Sequence, residues 1–162
     1  MSNERSGGLP AKVLTVSDGV VAGTRVDTSG ESLAAEIEAA GFVVVERAVV
    51  SDGADNVAAA LVRLADGFAG LIVTTGGTGF APRDETPEGT RRVIEREAPG
   101  LAEAMRLVHP LGRLSRGVAG VRGRAIILNT PGSPKGCCEQ FRAVADVLAH
   151  ALRLLAETPT DH

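Results

Sequence analysis

Residues Leu71–Glu88 read Leu-Ile-Val-Thr-Thr-Gly-Gly-Thr-Gly-Phe-Ala-Pro-Arg-Asp-Glu-Thr-Pro-Glu. The apolar run Leu71–Thr74 passes straight into a Gly-Gly-Thr-Gly turn. Thr86-Pro87-Glu88 then has the form of a helix start, with a hydroxyl cap and a proline in the first turn. A strand, a glycine loop and a helix in immediate succession form a unit that can cradle phosphate. Glycines without side chains let backbone N–H groups approach an anion, and the helix N-terminus adds positive dipole. The rest of the chain has to supply the other walls of an anion site.

The strand-then-helix order recurs. Lys12–Val16 is short and β-branched and ends at Ser17-Asp18-Gly19, a strand leaving the sheet through a polar turn. After a loop to about Asp27, Thr28-Ser29-Gly30-Glu31 is spelled like a capping box, with Thr28 as cap. Leu33, Ala34, Ile37 and Ala40-Gly41 complete a short amphipathic helix with a glycine stop. Val43–Val50 is a second strand, ending at Ser51-Asp52-Gly53. Ala54–Asp66 is a helix with Val57, Ala60, Leu61, Leu64 and Ala65 on one face, and Gly70–Thr75 is a third strand. Nearly continuous apolar strands alternating with helices predict a three-layer α/β sandwich, with a mainly parallel central sheet and helices on both faces. Right-handed crossovers bring the polar ends of these strands to one edge. Further helices are expected over Glu88–Glu97 and Gly100–Val108. Within Pro110–Gly123 a loop leads into an irregular or edge strand near Val118–Val121, followed by a strand over Arg124–Leu128 and a last helix over about Pro134–Ala156.

With 162 residues and no break in composition, the chain is expected to form one domain over residues 11–162 behind a flexible N-terminal tail, residues 1–10. Trp and Tyr are absent and only four Phe occur, so the core has to come from Val, Leu, Ile and Ala, and nucleic-acid binding by base stacking is disfavoured. A formal net charge of −3 provides no basic field for nucleic acid or an anionic membrane, so any attraction for phosphate must be local. Cys137 and Cys138 are adjacent, with no partners elsewhere, which argues against zinc spacing and a disulfide framework. Residues 1–10 lack the apolar segment of a signal peptide, and no stretch approaches about 18 apolar residues, so a cytoplasmic location is the expectation.

In an open parallel sheet, ligands bind outside the carboxyl ends of the strands. Those ends carry Ser17-Asp18, Ser51-Asp52, Thr75-Gly76-Gly77-Thr78-Gly79 and Asn129-Thr130-Pro131-Gly132-Ser133, so carboxylates, hydroxyls and two turn-rich loops gather on one rim. Simpler roles exist for each. Asp18 and Asp52 suit turns or helix caps, the glycines suit a tight turn alone, and Arg83 can pair with Asp84 or Glu85 at the surface. Asp84 is less easily explained that way, because the following helix already has Thr86 as a cap candidate. Lys135, a cation in the first turn of a helix, opposes the dipole and points to an anion nearby. No Gly-Lys dipeptide is present, so there is no Walker A loop, and Pro82 follows Gly77-Thr78-Gly79 where a dinucleotide fingerprint needs its third glycine. His109, His150 and His162 lie outside the glycine motifs and read as solvated or core residues, which leaves Ser-His-Asp and Cys-His arrangements without support.

Five motifs carry a resemblance. Thr74-Thr75-Gly76-Gly77-Thr78-Gly79, Arg83-Asp84-Glu85-Thr86-Pro87-Glu88, Pro99-Gly100-Leu101-Ala102-Glu103-Ala104-Met105-Arg106, Leu114-Ser115-Arg116 and Asn129-Thr130-Pro131-Gly132-Ser133-Pro134-Lys135-Gly136 occur in this order over about Lys12–Leu155. Together they resemble the molybdopterin adenylyltransferase family of molybdenum-cofactor biosynthesis. The resemblance implies an α/β sandwich, a homotrimer, and an enzyme that uses ATP and Mg²⁺ to adenylylate the terminal phosphate of molybdopterin, with hand-over to the molybdate-insertion enzyme. It implies that Asp52 and Asp84 are the acidic residues on which catalysis depends and the ligands of Mg²⁺. Thr75, Gly76, Gly77, Thr78, Gly79, Pro131, Gly132, Ser133 and Lys135 would hold nucleotide and phosphates. Ser115 and Arg116 would face the pterin, with Ser17 and Asp18 in the same role; Ser17, Asp18 and Ser29-Gly30 match the family more loosely. Thr130 departs from the pattern, standing where relatives often have a bulkier apolar residue. An attacking phosphate oxygen is already anionic at neutral pH, so no general base is required and the missing motif histidine is no objection. Two other readings share these residues: a pterin-binding trimer without transferase activity, and a hydrolase or deamidase of pyridine nucleotides, for which the chain has no room for the additional domain.

Overall fold

Six extended runs pair into one sheet in the computed structural model, which describes residues 8–157. In chain order the elements are β1 (Pro10–Val16), α1 (Asp18–Val21), α2 (Thr28–Ala39), β2 (Val43–Val50), α3 (Ala54–Ala65), β3 (Gly70–Thr75) and α4 (Thr86–Arg91). There follow β4 (Arg96–Glu97), α5 (Pro99–Arg106), a 3-10 turn (Pro110–Leu114), β5 (Ala119–Arg122), β6 (Ala125–Thr130), α6 (Pro134–Arg142) and α7 (Ala145–Leu155). The sheet order is β2-β1-β3-β6-β5-β4, parallel from β2 to β6 and antiparallel at β5 and β4. This is the predicted sandwich. Among the described residues no helix is long and apolar enough to cross a membrane.

Alternation along the central strands feeds two cores. Ala11, Val13, Leu71, Val73, Ile126 and Leu128 pack on the side of α2, α5, α6 and α7, where Phe141 and Leu148 are fully buried. Leu14, Val16, Ile72, Ala125 and Ile127 pack on the other side, against Val57, Leu61 and Leu64 of α3. β2 is not covered on both faces as its apolar spelling predicts. It is the sheet edge, and Val43, Val45 and Val49 are exposed. Its register with β1 slips between Ala11 and Lys12, so Val45 is an extra residue that reverses the alternation. Val44 therefore packs with the α2 core, whereas Ala48 and Val50 pack with the α3 core.

Local chemistry moves several expected boundaries. Asp27, not Thr28, caps α2, accepting from the Gly30 N–H at 3.0 Å; its carboxylate also accepts from the Thr15 hydroxyl and from Arg47. Thr86 is inside α4 and caps nothing, because its hydroxyl donates to the Gly76 carbonyl at 2.9 Å. The helix expected to Glu97 stops at Arg91, and Arg96–Glu97 becomes β4. There the Glu95 N–H donates to Val121 O and the Ala98 N–H to Ala119 O, just ahead of Pro99, which disfavours helix in the residue before it. The single long final helix is two helices. The Ala143 N–H reaches both Glu139 O and Gln140 O, a tightened turn that closes α6 before α7 begins. The expected tail also ends early. The Gly8 N–H donates to Gly41 O, Leu9 O accepts from Val43, and Pro10 already pairs in β1; residues 1–7 lie outside the described residues.

α4 lies against α3 through Gly89, where an added Cβ would come within 2.7 Å of Ala54 O and 2.8 Å of Val57 Cβ. Gly89→Ala is expected to destabilise the fold by about 1–3 kcal/mol, an overpacking effect read as a lower urea midpoint with unchanged slope.

Candidate active site

β1 lies between β2 and β3, so the crossovers leaving its two sides cover opposite faces of the sheet. A crevice opens outside the carboxyl ends of β1 and β3, where such topologies place their ligands. The cavity there has a volume of about 820 Å³, within the range of roughly 300–1,000 Å³ usual for small-molecule sites. It is lined by Ser17, Asp52, Thr75, Gly76, Gly77, Thr78, Gly79, Asp84, Ser115, Pro131, Gly132, Ser133 and Lys135, all singled out in the sequence.

The glycine loop has a conformation that only glycine adopts readily: φ is +101° at Gly76 and +71° at Gly77. A Cβ on Gly76 would collide with Val16 O, and one on Gly77 with the Thr86 hydroxyl. The Gly76 N–H is used internally, donating to Thr130 O at 3.1 Å. Those of Gly77, Thr78 and Gly79 have no acceptor among the described residues, so three consecutive donors are available beside the cavity. The second loop is tied to the first by the Thr75 hydroxyl, which donates to Pro131 O at 2.8 Å, and by the Thr130 hydroxyl, which donates to Thr74 O at 2.7 Å. Ser133 caps α6 by accepting from the Gly136 N–H, with Pro134 in its first turn.

Two carboxylates flank the glycine loop. The position a Gly77 Cβ would take is 3.3 Å from Asp52 Oδ1, and that of a Gly79 Cβ is 3.0 Å from Asp84 Oδ2, so both carboxylates pack closely on the bare loop. Asp84 Oδ2 accepts from the Ala81 N–H at 3.0 Å. Asp52 is held by exchange with Asp18: the Asp18 N–H donates to Asp52 Oδ2 at 3.0 Å, and the Asp52 N–H donates to Asp18 Oδ1 at 3.1 Å. Burial pushes the Asp52 carboxyl up, and the charges of Asp18 and Asp84 add to this, against the Asp18 N–H and the Arg83 charge. A crowded anionic pair with only one oxygen of each bound to backbone suits a cation. Among the described residues no cluster of three or more His, Cys, Asp or Glu side chains surrounds it. The donor set therefore fits Mg²⁺, which takes one or two carboxylates and completes its octahedron with water and substrate phosphate, better than an ion needing a closed protein cage.

Two residues expected to face the pterin do not line the cavity. Asp18 is turned to Arg83, whose Nη2 donates to Asp18 Oδ1 at 3.0 Å and to Asp52 O at 3.1 Å and whose Nε donates to Asp18 Oδ2; nor does Arg83 pair with Asp84 or Glu85. Arg116 is a framework residue. Its guanidinium donates to Gly79 O at 2.8 Å, Asp84 O at 2.6 Å and Glu88 Oε2 at 2.7 Å, which fixes the loop carrying both site residues. His109, read from the sequence as solvated or core, lines the cavity with Nδ1 accepting from the Leu111 N–H. Thr28 and Ser29 of the capping-box motif also line it, as does Arg25, which had no motif to mark it. Lys135 is exposed and lies 3.8 Å from Glu139. Cys137 is buried, which pushes its thiol up to about 12 and leaves it unreactive. His162 lies outside the described residues.

The hydrogen bond from Arg83 holds the Asp18 carboxyl below its usual range, offset in part by desolvation. The ionised pair therefore favours the folded state above the ordinary carboxyl value of about 3.9, and that contribution is lost as pH falls through the lower folded value. In Arg83→Gln, carboxyl-carbon NMR titration is expected to show the Asp18 midpoint rising toward its ordinary value and the Asp52 midpoint rising further. An Asp18 midpoint that stays where it was would contradict the pairing.

A family model described as "Probable molybdopterin binding domain" matches residues 12–150. The chain is 35% identical over 150 residues to the molybdopterin adenylyltransferase of Helicobacter pylori strain J99, an alignment covering 88% of this chain and 85% of that one. It is 45% identical over 91 residues to the molybdenum cofactor synthesis protein cinnamon of Drosophila melanogaster, covering 54% of this chain and only 15% of that longer protein. The crystal structure of the molybdopterin biosynthesis enzyme MoaB from Thermus thermophilus superimposes with a TM-score of 0.87 at 49% identity, over 94% of this chain and 99% of that one. The match along most of its length, on a shared fold, shows that the chain belongs to this molybdopterin-binding family of molybdenum-cofactor biosynthesis.

Proposed function

We propose that the chain is a molybdopterin adenylyltransferase that joins ATP and molybdopterin in this one cavity. The observation that carries the reading is the convergence of two carboxylates and three unused backbone donors on a single glycine loop. In the transfer, an oxygen of the molybdopterin phosphate forms a bond to the α-phosphorus of ATP. The bond from that phosphorus to the bridging oxygen breaks, and pyrophosphate leaves with the electron pair. A Mg²⁺ ion held by Asp52 and Asp84 would supply charge neutralisation between the two phosphate-bearing reactants. The N–H groups of Gly77, Thr78 and Gly79 donate to phosphate oxygens, in a loop whose shape is set before ligand arrives. Asp18 and Arg83 keep Asp52 in place, and Arg116 does the same for the Asp84 backbone. Ser115 presents a hydroxyl group to the pterin side, and Lys135 offers positive charge at the entrance to α6.

A homotrimer and hand-over to the molybdate-insertion enzyme belong to the same reading. Leu107, Leu111 and Leu114 stand exposed around the 3-10 turn next to the cavity, an apolar surface that an assembly would cover. Light scattering of the purified chain is expected to give three times the monomer mass.

Incubation with molybdopterin, ATP and Mg²⁺ is expected to yield adenylylated molybdopterin and pyrophosphate, followed by mass spectrometry. Pterin binding without an ATP-dependent product would identify a binding trimer in its place. Asp84→Asn is expected to lower turnover by about 100-fold or more while leaving the circular-dichroism melt unchanged. Turnover at the wild-type rate in that variant would remove Asp84 from the chemistry.

A further inference from the structure

The cations on the cavity wall are Arg25 and Lys135. They come from other segments than the carboxylates: Asp52 and Asp84 precede α3 and α4, whereas Arg25 precedes α2 and Lys135 is in the first turn of α6. Glu139 lies near Lys135 and offsets it. Arg25 has no such partner. Arg83 and Arg116, the other arginines beside the site, are engaged by internal acceptors; no carboxylate or carbonyl among the described residues takes the Arg25 guanidinium.

The backbone of Arg25 is nevertheless fixed. Gly19 O accepts three hydrogen bonds, from the Thr24 N–H at 2.9 Å, the Arg25 N–H at 3.1 Å and the Thr24 hydroxyl at 3.2 Å. The arm of Arg25 then lies across the bare face of Gly19, where a Cβ would stand 3.2 Å from Arg25 Cβ and 3.7 Å from its Nε. A short helix and the loop behind it thus hold one guanidinium at the cavity with no acceptor among the described residues.

We propose that Arg25 is a phosphate-binding residue of this cavity, engaging a phosphate group of a substrate from the loop that leads into α2. The inference rests on the adenylyltransferase reading for the identity of that substrate, though not for the anion site itself. A guanidinium presents paired N–H donors that match two phosphate oxygens at once, which a lysine does not. The phosphate belongs either to the nucleotide or to the pterin, and gripping it would leave Asp52 and Asp84 free for the cation.

The test is calorimetric titration of the full chain with inorganic tripolyphosphate, with Mg-ATP and with molybdopterin, at low salt. Arg25→Gln is expected to weaken tripolyphosphate binding about tenfold or more, and Arg25→Lys to recover part of it. Gly19→Ala, which adds a methyl group where Arg25 rests, is expected to weaken it as well while Arg25 is still present. Whichever of Mg-ATP and molybdopterin loses affinity identifies the source of the phosphate. Arg124→Gln, in the exposed turn between β5 and β6, controls for simple loss of charge. Binding of all three ligands to Arg25→Gln with wild-type affinity overturns the proposal, as does an equal loss in Arg124→Gln or a wild-type chain that does not bind tripolyphosphate. If wild-type protein makes no adenylylated product, the functional reading fails, and the tripolyphosphate comparison still decides the role of Arg25.

Discussion

The buried amide of Asn129 holds together the part of the molecule on which both site loops depend. Its Nδ2 donates to the hydroxyls of Thr74 and Thr90 at 3.0 Å each, and its Oδ1 accepts from the Val118 N–H at 3.1 Å. One side chain thus joins β3, β6, α4 and the segment entering β5. An amide can do this because it carries two donors and one acceptor with two lone pairs, and in a dry interior each partner left unpaired would cost the full desolvation of that group. Fixing the last residues of β3 against the last residues of β6 places the two loops side by side, so that Thr75 and Thr130 can cross-link them through main-chain carbonyls.

The cavity wall carries both signs of charge. Asp52 has been brought close to Asp18 and Asp84, and burial together with their charges pushes its carboxyl up. Arg83 relieves only part of this, because its donors go to Asp18 and to the Asp52 carbonyl, not the Asp52 carboxylate. Arg25 and Lys135 line the same cavity.

Much of this was legible in the sequence. β2 and β3 begin and end where their apolar spelling places them, and the rim of strand ends forms as parallel topology requires. The misses have a common physical cause, which is competition between a local and a tertiary partner. Thr86 has the spelling of a cap, but the Gly76 carbonyl draws its hydroxyl away from the helix N-terminus. Asp27 precedes the Thr-Ser-Gly-Glu box and takes the capping role because Thr15 and Arg47 already orient its carboxylate. Asp18 and Arg116 sit in site motifs yet point into the framework, since the orientation of a side chain in a loop is set by contacts distant in sequence. Arg25 had no motif at all; its place at the cavity follows from the way the chain folds back on Gly19.

The bond from the Thr86 hydroxyl to Gly76 O has a mechanical meaning. It fastens the glycine loop to the first turn of α4, and α4 is in turn seated on α3 at Gly89, against the carbonyl of Ala54 just two residues after Asp52. The loop, the helix after it and the anchor of the second carboxylate are consequently joined through one continuous set of contacts. A ligand entering the cavity therefore meets a loop and carboxylates braced by one another and, through Asp18, by α1.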